Sequence, residues 1–271
     1  MLKRLVNDYS GSSFRACTFG GHPHMDQNPD VLLAAIDTAV ELGADRNKVC
    51  VMAPASGPAD YHFKKVSAAS TTTSLESRVW ADGVYTTEIG AAVIMPSADC
   101  QFIVMKNLVT NCLVVGHGGK PAMRTWELVK LSEMHAGPGP TEIRRLSIID
   151  QCLDYAVRRA FPNNVHVHLA NTIGARHYAH DDARTAQDRD YFWRYYGPEV
   201  FYDQDQAAGR LDLKAMSRRR LLDRNVPTSN ISDDGQCTVC HPDLVSYRAK
   251  RQTSERNIGI AINLPVKEST Y

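Results

Sequence analysis

Apolar residues recur along this chain at two different spacings, and the two spacings predict its elements. Asn28 and Pro29 precede DVLLAAIDTAVELG, which is apolar on a helical period; Asn28 is placed to cap this helix, Pro29 to open it and Gly43 to end it. Ile143, Leu146, Ile149, Leu153, Val157 and Phe161 repeat on the same period and predict a helix over 141–161. Residues 211–223 predict a basic helix. Shorter apolar runs at 49–52, 61–66 and 258–262 predict strands, as does the alternating Val165-His166-Val167-His168-Leu169, while 80–87 and 90–95 lead into the region of Cys100. Two runs rich in Ile, Val, Leu and Phe, 101–105 and 112–115, predict a hairpin or two neighbouring strands turning around Lys106-Asn107. APASGP at 53–58, the Ser/Thr-rich 67–77 and SEMHAGPGP at 132–140 read as connections, while 181–190 is polar and exposed and 191–202 is aromatic-rich. There is no internal repeat and no regular strand–helix–strand beat. The expected fold class is therefore α+β, mixed β-sheets with flanking helices, in a single domain over 1–271.

The chemistry of interest stands at the ends of the 101–105 and 112–115 runs. Ala98-Asp99-Cys100 precedes the first, and His117-Gly118-Gly119 follows the second. Antiparallel strands of equal length would return Cys100 and His117 to the same end of the sheet. A thiol and an imidazole placed together can bind a soft metal or form a nucleophile–base pair. Gly116, Gly118 and Gly119 let the backbone approach a ligand closely. Other patterns are weaker. Cys237-Thr238-Val239-Cys240-His241 fits the c-type haem attachment pattern or half of a zinc site, but no second C-x-x-C completes it, so it reads as a cysteine-containing loop. His166 and His168 share one strand face without a third ligand, and His22 and His24 merely flank Pro23. A P-loop, G-x-G-x-x-G and H-E-x-x-H are all missing, as is the zinc deaminase pattern.

Charge and composition narrow the partners. Lys+Arg (31) and Asp+Glu (30) cancel, which argues against nucleic acid or an anionic membrane as partner. Arg218-Arg219-Arg220, near Arg224, reads as a solvated helix face. No run reaches the apolar length that spans a bilayer, and the N-terminal residues do not form a secretory signal. Seven cysteines at irregular spacing predict free thiols in a reducing cytoplasm rather than a disulfide framework.

Several segments, taken in order, resemble the laccase-domain family, whose members are described as polyphenol oxidases and purine nucleoside phosphorylases. They are Ala81-Asp82-Gly83-Val84-Tyr85-Thr86, Ala98-Asp99-Cys100, His117-x-Gly119, Ile173-Gly174 with Tyr178, Cys237-Thr238, Ser246-Tyr247-Arg248 and Arg256. The 28–43 helix matches the family's early helix, so the resemblance spans nearly the whole chain. It implies a single laccase-domain-like fold and a metal site built from His62, Cys100 and His117; a rival alignment sets Ser56-Gly57 at the first position and leaves the site one ligand short. The chain departs from the family at Ala34-Ala35, where an Asn-Arg pair is usual, at Lys120-Pro121 in place of Trp-Arg, and at Phe63 in place of a glycine; an insertion follows over 120–140.

The resemblance implies a zinc-dependent enzyme acting on purine nucleosides, by phosphorolysis, deamination of adenosine-like substrates, or both. Cys100, His117 and Asp99 would be catalytic, and Arg248, Arg256 and Lys120 would hold substrate or phosphate. Zinc is expected rather than copper, because the chain lacks the many closely grouped histidines of a multicopper centre. The expected partners are a small-molecule nucleoside and phosphate. The alternatives are a degenerate relative retained for binding or assembly, and a cysteine hydrolase with Cys100 as nucleophile and His117 as base.

Overall fold

The computed structural model describes residues 2, 5–11, 13–25, 28–54, 63–67, 70–74, 76–124, 147–158, 160–179, 186–249 and 254–266. Among them run strands β1 (Leu5–Ser10), β2 (Phe14–Pro23), β3 (Val49–Ala53), β4 (Phe63–Lys65), β5 (Val79–Trp80), β6 (Gly83–Thr86), β7 (Ala92–Ser97), β8 (Gln101–Asn107), β9 (Leu113–Gly118), β10 (Val165–Ala170), β11 (Ile231–Asp233) and β12 (Glu255–Asn263). The helices are α1 (Pro29–Glu41), α2 (Ile148–Ala156), α3 (Ala186–Tyr196) and α4 (Leu213–Asp223). The described strands form two mixed six-stranded sheets, ordered β1-β2-β12-β7-β3-β5 and β11-β10-β8-β9-β6-β4. The expected α+β class, with mixed sheets and flanking helices, is what the chain adopts.

Period-2 alternation sorts the strand residues into three apolar layers. Val49, Val51, Ala92, Ile94, Ile258, Ile260 and Ile262 face α1. The intervening Cys50, Met52, Val93, Met95 and Ala261 face the other sheet, where they meet Phe102, Val104, Leu113 and Val115. On that sheet's far side Ile103, Met105, Val114, Val165, Val167 and Leu169 pack under α2, α3 and α4. Central strands buried on both faces explain why the sequence shows unbroken apolar runs there. Close approach of the sheets requires Gly259, since a Cβ at that position would lie 2.7 Å from the Phe102 ring.

Helix α1 starts and stops where its sequence predicts. The Asn28 side chain accepts from the backbone N–H groups of Asp30 and Val31, and Gly43 follows the helix with φ +109°. The predicted hairpin exists, but its turn lies at 108–111, two residues beyond Lys106-Asn107. Lys106 remains in the strand, fully buried, because its ammonium donates to the Asn111 carbonyl, the Asn111 side chain and the Asn263 side chain. Asn107 accepts from the N–H groups of Val109 and Thr110, which makes the turn.

The helix expected over 141–161 is described from Ile148, with 141–146 outside the described residues, and it ends at Ala156. Pro162 holds the preceding Phe161 in an extended conformation, and Phe161 is 75% exposed instead of lying on the buried face. Residues 55–62, 125–146 and 180–185 lie outside the described residues, and with them fall His62, the Ser56-Gly57 alternative, most of the 120–140 insertion and the 132–140 loop. The Arg218–Arg220 cluster only partly forms a solvated face. Arg218 pairs with Asp233 and Arg219 with Asp223, but Arg220 and Arg224 turn inward onto the buried Asp150. All seven cysteines are free, and no described helix is long and apolar enough to cross a membrane.

His168 is a core histidine. Its Nδ1 bonds the Ser232 hydroxyl at 3.0 Å, its Nε2 bonds the Asn7 amide at 3.2 Å, and its ring stacks on Tyr9 at 4.4 Å. Burial pushes the imidazole down to about 4, with Asp234 and Asp233 opposing and Lys214 reinforcing the shift. The unfolded chain binds this proton near pH 6.5 and the native chain only near pH 4, so stability is full above that window and falls as the pH drops through it. The expected loss is about 3 kcal/mol. Denaturant midpoints measured from pH 7 to pH 4 should show this fall, and His168→Gln should remove about that much of it. Parallel pH profiles for the two proteins would contradict the assignment.

Candidate functional site

Chain connectivity builds the site at one end of the paired sheets. Strand β7 leaves the first sheet at Ser97, and β8 begins in the second at Gln101, so Ala98-Asp99-Cys100 bridges the layers. In the β8–β9 register Gln101 faces Gly118 and Phe102 faces His117, which brings Cys100 and His117 to the same sheet end, as expected. Gly119 leaves room for the thiol: a Cβ there would sit 3.1 Å from Cys100 Sγ and 4.0 Å from His117 Cε1.

These two side chains open into a cavity of about 470 Å³. Trp80, Asp99, Tyr178, Tyr247, Arg248 and Arg256 share its wall. Asp99 fixes that wall. Its carboxylate accepts from Thr238 Oγ1 at 2.7 Å and the Arg248 N–H at 2.9 Å, and its carbonyl accepts from Thr172 Oγ1 at 2.9 Å and the Ile173 N–H at 3.1 Å. One residue thus ties three distant segments to the Cys100 bridge. Asn257 acts in the same way, donating to the carbonyls of Ala98 and Val245 while accepting from the Val245 N–H. The Arg248 guanidinium lies 4.6 Å over the Tyr178 ring and donates to the Ala179 carbonyl. The β2–β12 register pairs Arg256 with His22, which brings the neighbouring His24 to the cavity.

The electrostatics mark out His117. Burial pulls its imidazole down, but the neighbouring Cys100 and the Asp82 carboxylate outweigh that and push it up to about 10. His117 Nδ1 lies 3.8 Å from Asp82 Oδ1, and the His117 N–H donates to the Asp82 carbonyl at 2.8 Å. Asp82 Oδ2 is buried with no hydrogen-bond partner among the described residues. Burial also pushes the Tyr178 hydroxyl well up, with the Cys100 charge adding to it and Arg248 opposing. His24 is pushed down by burial and by the positive charges of Arg256 and Arg78.

The expected site residues separate into three groups. Cys100, His117, Asp99, Arg248 and Arg256 share the cavity. Lys120 is not among its lining residues, and its ammonium pairs with Asp188. His62 lies outside the described residues. Asp99, expected to be catalytic, has its carboxylate oxygens engaged by Thr238 and Arg248, and the carboxylate beside His117 is Asp82. Trp80, Tyr247 and His24 join the wall without having been singled out as ligands. Only the strand pairing that sets His22 opposite Arg256, two residues before His24, could have exposed its role.

The residues present suit a soft metal ion. A thiol and an imidazole stand together, and a buried carboxylate with a spare oxygen stands behind the imidazole, the usual outer partner of a metal-bound histidine. The donor chemistry, one sulfur with imidazole nitrogen, is acceptable to zinc and to copper(I) alike.

Known proteins share this fold. YlmD from Geobacillus stearothermophilus superposes with a TM-score of 0.70 at 18% identity, covering 97% of this chain and 98% of that one. The Bacillus licheniformis hypothetical protein YfiH gives 0.69 at 18% identity, over 93% and 92% of the two chains. A Neisseria meningitidis protein, NMB0706 of family DUF152, gives 0.66 at 14% identity, over 96% and 100%. At these identities the likeness speaks for the fold. No curated protein matches the chain. The family described as multi-copper polyphenol oxidoreductase laccase matches residues 52–263, a span that contains every lining residue of the cavity except His24. On that match the chain belongs to the laccase-domain family, the group that includes YfiH and DUF152, of which it is a divergent member.

Proposed function

We propose that this protein is a zinc-dependent enzyme acting on purine nucleosides, with His62, Cys100 and His117 as the metal ligands. The observation that carries the reading is the meeting of Cys100 and His117 with two guanidinium groups and three aromatic rings in one cavity. Its volume of about 470 Å³ falls within the range of small-molecule sites. A bound zinc ion supplies Lewis acidity and acidifies a coordinated water.

The chain's own groups account for the rest. Arg248 and Arg256 supply the positive charge that a phosphate needs, and an arginine fork grips two phosphate oxygens at once. Lys120, engaged with Asp188, is left out of this anion site. Trp80 and Tyr247, each about half exposed at 50% and 53%, offer flat faces against which a purine can stack. Tyr178 keeps its proton across the neutral range and serves as a hydrogen-bond donor in the wall. In phosphorolysis the bond from ribose C1′ to the purine nitrogen breaks while a phosphate oxygen bonds C1′, and the departing base takes up a proton. Holding phosphate and nucleoside together in fixed orientation is the part that the arginine pair and the rings perform.

Asp82 is a positioning residue in this scheme, setting the His117 ring. Asp82→Asn keeps the shape and removes the charge, so zinc affinity and turnover should each fall about 10–100-fold while the melting temperature stays near that of wild type. Unchanged zinc affinity would remove Asp82 from the scheme.

A second reading, a family member retained for binding without turnover, draws on Ala34-Ala35 and on Lys120-Pro121 at positions where the family usually carries other residues. Incubation of zinc-loaded protein with adenosine, inosine and methylthioadenosine, with and without phosphate, separates the two. Phosphate-dependent release of free base identifies phosphorolysis, and conversion of adenosine to inosine identifies deamination. No turnover of any of the three would favour the second reading.

A further inference from the structure

The C-x-x-C of the C-terminal region reads in sequence as an incomplete site, and the fold supplies what it lacked. Cys237 and Cys240 are joined by His177, from the short 3₁₀ turn Ala175–His177, and the three donor atoms all lie within 4.8 Å of one another. His177 Nε2 is 3.1 Å from Cys240 Sγ, across 63 residues of sequence. The Gly174 N–H donates to Cys237 Sγ at 3.1 Å and so helps to fix the position of the sulfur. A Cβ at Gly174 would come within 3.0 Å of that sulfur, so this approach depends on glycine. The Cys240 and His241 N–H groups both donate to the Cys237 carbonyl, folding the C-x-x-C into a tight turn with both sulfurs toward His177.

The geometry points to a second metal site, a zinc centre formed by His177, Cys237 and Cys240 and separate from the cavity. Zn–S bonds of about 2.3 Å and Zn–N bonds of about 2.0–2.1 Å set tetrahedral donor–donor separations of about 3.4–3.8 Å. The three donors reach that spacing with shifts of about 1 Å, well within the freedom of side chains that are exposed or half-buried. Cys237 and Cys240 lose their protons on binding, and the fourth position faces solvent and takes a water. Two soft sulfurs and one imidazole favour zinc over magnesium or calcium, which take oxygen donors.

The placement gives this centre a task. Tyr178, the residue after His177, lines the cavity, and Thr238, the residue after Cys237, donates to Asp99. Metal at this point cross-links the two segments that set the cavity wall, 63 residues apart in sequence.

Zinc stoichiometry tests the site independently of the cavity centre. Purified protein saturated with zinc under reducing conditions and then dialysed should hold one equivalent more than either Cys240→Ser or His177→Ala treated in the same way. Cys240 and His177 are both exposed, so both variants should keep the wild-type melting curve of the metal-free protein. Cys100→Ala should retain this equivalent, and cobalt(II) bound to it should show thiolate charge-transfer absorption that disappears when Cys240→Ser is added. If the cavity centre fails and this one stands, wild type holds one zinc and Cys240→Ser holds none. Equal zinc in wild type, Cys240→Ser and His177→Ala would overturn the second site, as would a Cys100→Ala protein that binds neither metal.

Discussion

Replacing Cys100 by alanine should lower nucleoside turnover at least about 1,000-fold, because losing a ligand costs more than the 10–100-fold typical of an outer partner. The fold should tolerate the change. Cys100 is half-buried, and its principal neighbour is His117 rather than the core, so unfolding free energy should move by no more than about 1 kcal/mol. What changes is the site. The imidazole loses one of the two groups that push it upward, leaving Asp82, and the cavity loses its sulfur donor. A cysteine hydrolase would also die with Cys100, so a chelator separates the two mechanisms. Stripping zinc should abolish turnover by wild type and restoring zinc should recover it, whereas a thiol nucleophile would work without metal. Wild-type rates from Cys100→Ala would refute both.

The largest stability effect is expected far from the cavity, at Asp150. This carboxylate is fully buried on α2, accepts from Ser147 Oγ at 2.6 Å, and is clamped by Arg220 at 2.9 and 3.0 Å and by Arg224 at 3.0 Å. The two arginines sit one turn apart on and just after α4, so the cluster fastens α4 to α2. Asp150→Ala removes the buried counter-charge that both guanidinium groups share and leaves them only the more exposed Asp154 and Asp223. Removing one member of a buried ion pair costs about 3–5 kcal/mol, and the partial exposure of both arginines, 26% and 33%, places this case near 3. Thermal unfolding should shift down by roughly 6–12 °C. Asp150→Asn, which keeps a hydrogen-bond acceptor, should lose less. A melting point within about 2 °C of wild type for Asp150→Ala would show that α2 and α4 are held by their apolar contacts alone.

How much of this was legible in the sequence depended on whether the controlling interaction was local. Helix α1 was legible because its cap, its opening proline and its terminating glycine all lie within sixteen residues. The Cys100–His117 pair was legible because an antiparallel hairpin of near-equal strands fixes which residues return to which end. The turn between those strands was misplaced by two residues. A lysine normally marks a turn, and what keeps Lys106 in the sheet includes Asn263, on the last strand. Helix α2 ends at Ala156 although Val157 and Phe161 continue its apolar period, because Phe161, held extended before Pro162, faces outward. Helix α3 shows in sequence only as polar and then aromatic residues, since just Phe192 and Tyr196 of its eleven residues are fully buried. Arg220 and Arg224, four residues apart, match Asp150 and Asp154, also four apart, and that complementary spacing was the overlooked sign of an inter-helix clamp. The arginines of the cavity and Tyr178 came from family resemblance. His24 and the His177 ligand depend on pairings between distant segments and had no local signature.

The proposed activity requires metal at the Cys100–His117 pair. Diffraction data collected on either side of the zinc absorption edge, from crystals of the zinc-loaded protein, locate the ion directly. The prediction is an anomalous peak about 2.3 Å from Cys100 Sγ and about 2.0–2.1 Å from a ring nitrogen of His117, with His62 completing the set. A cavity without that peak, in crystals of protein that turns over nucleosides, would contradict it.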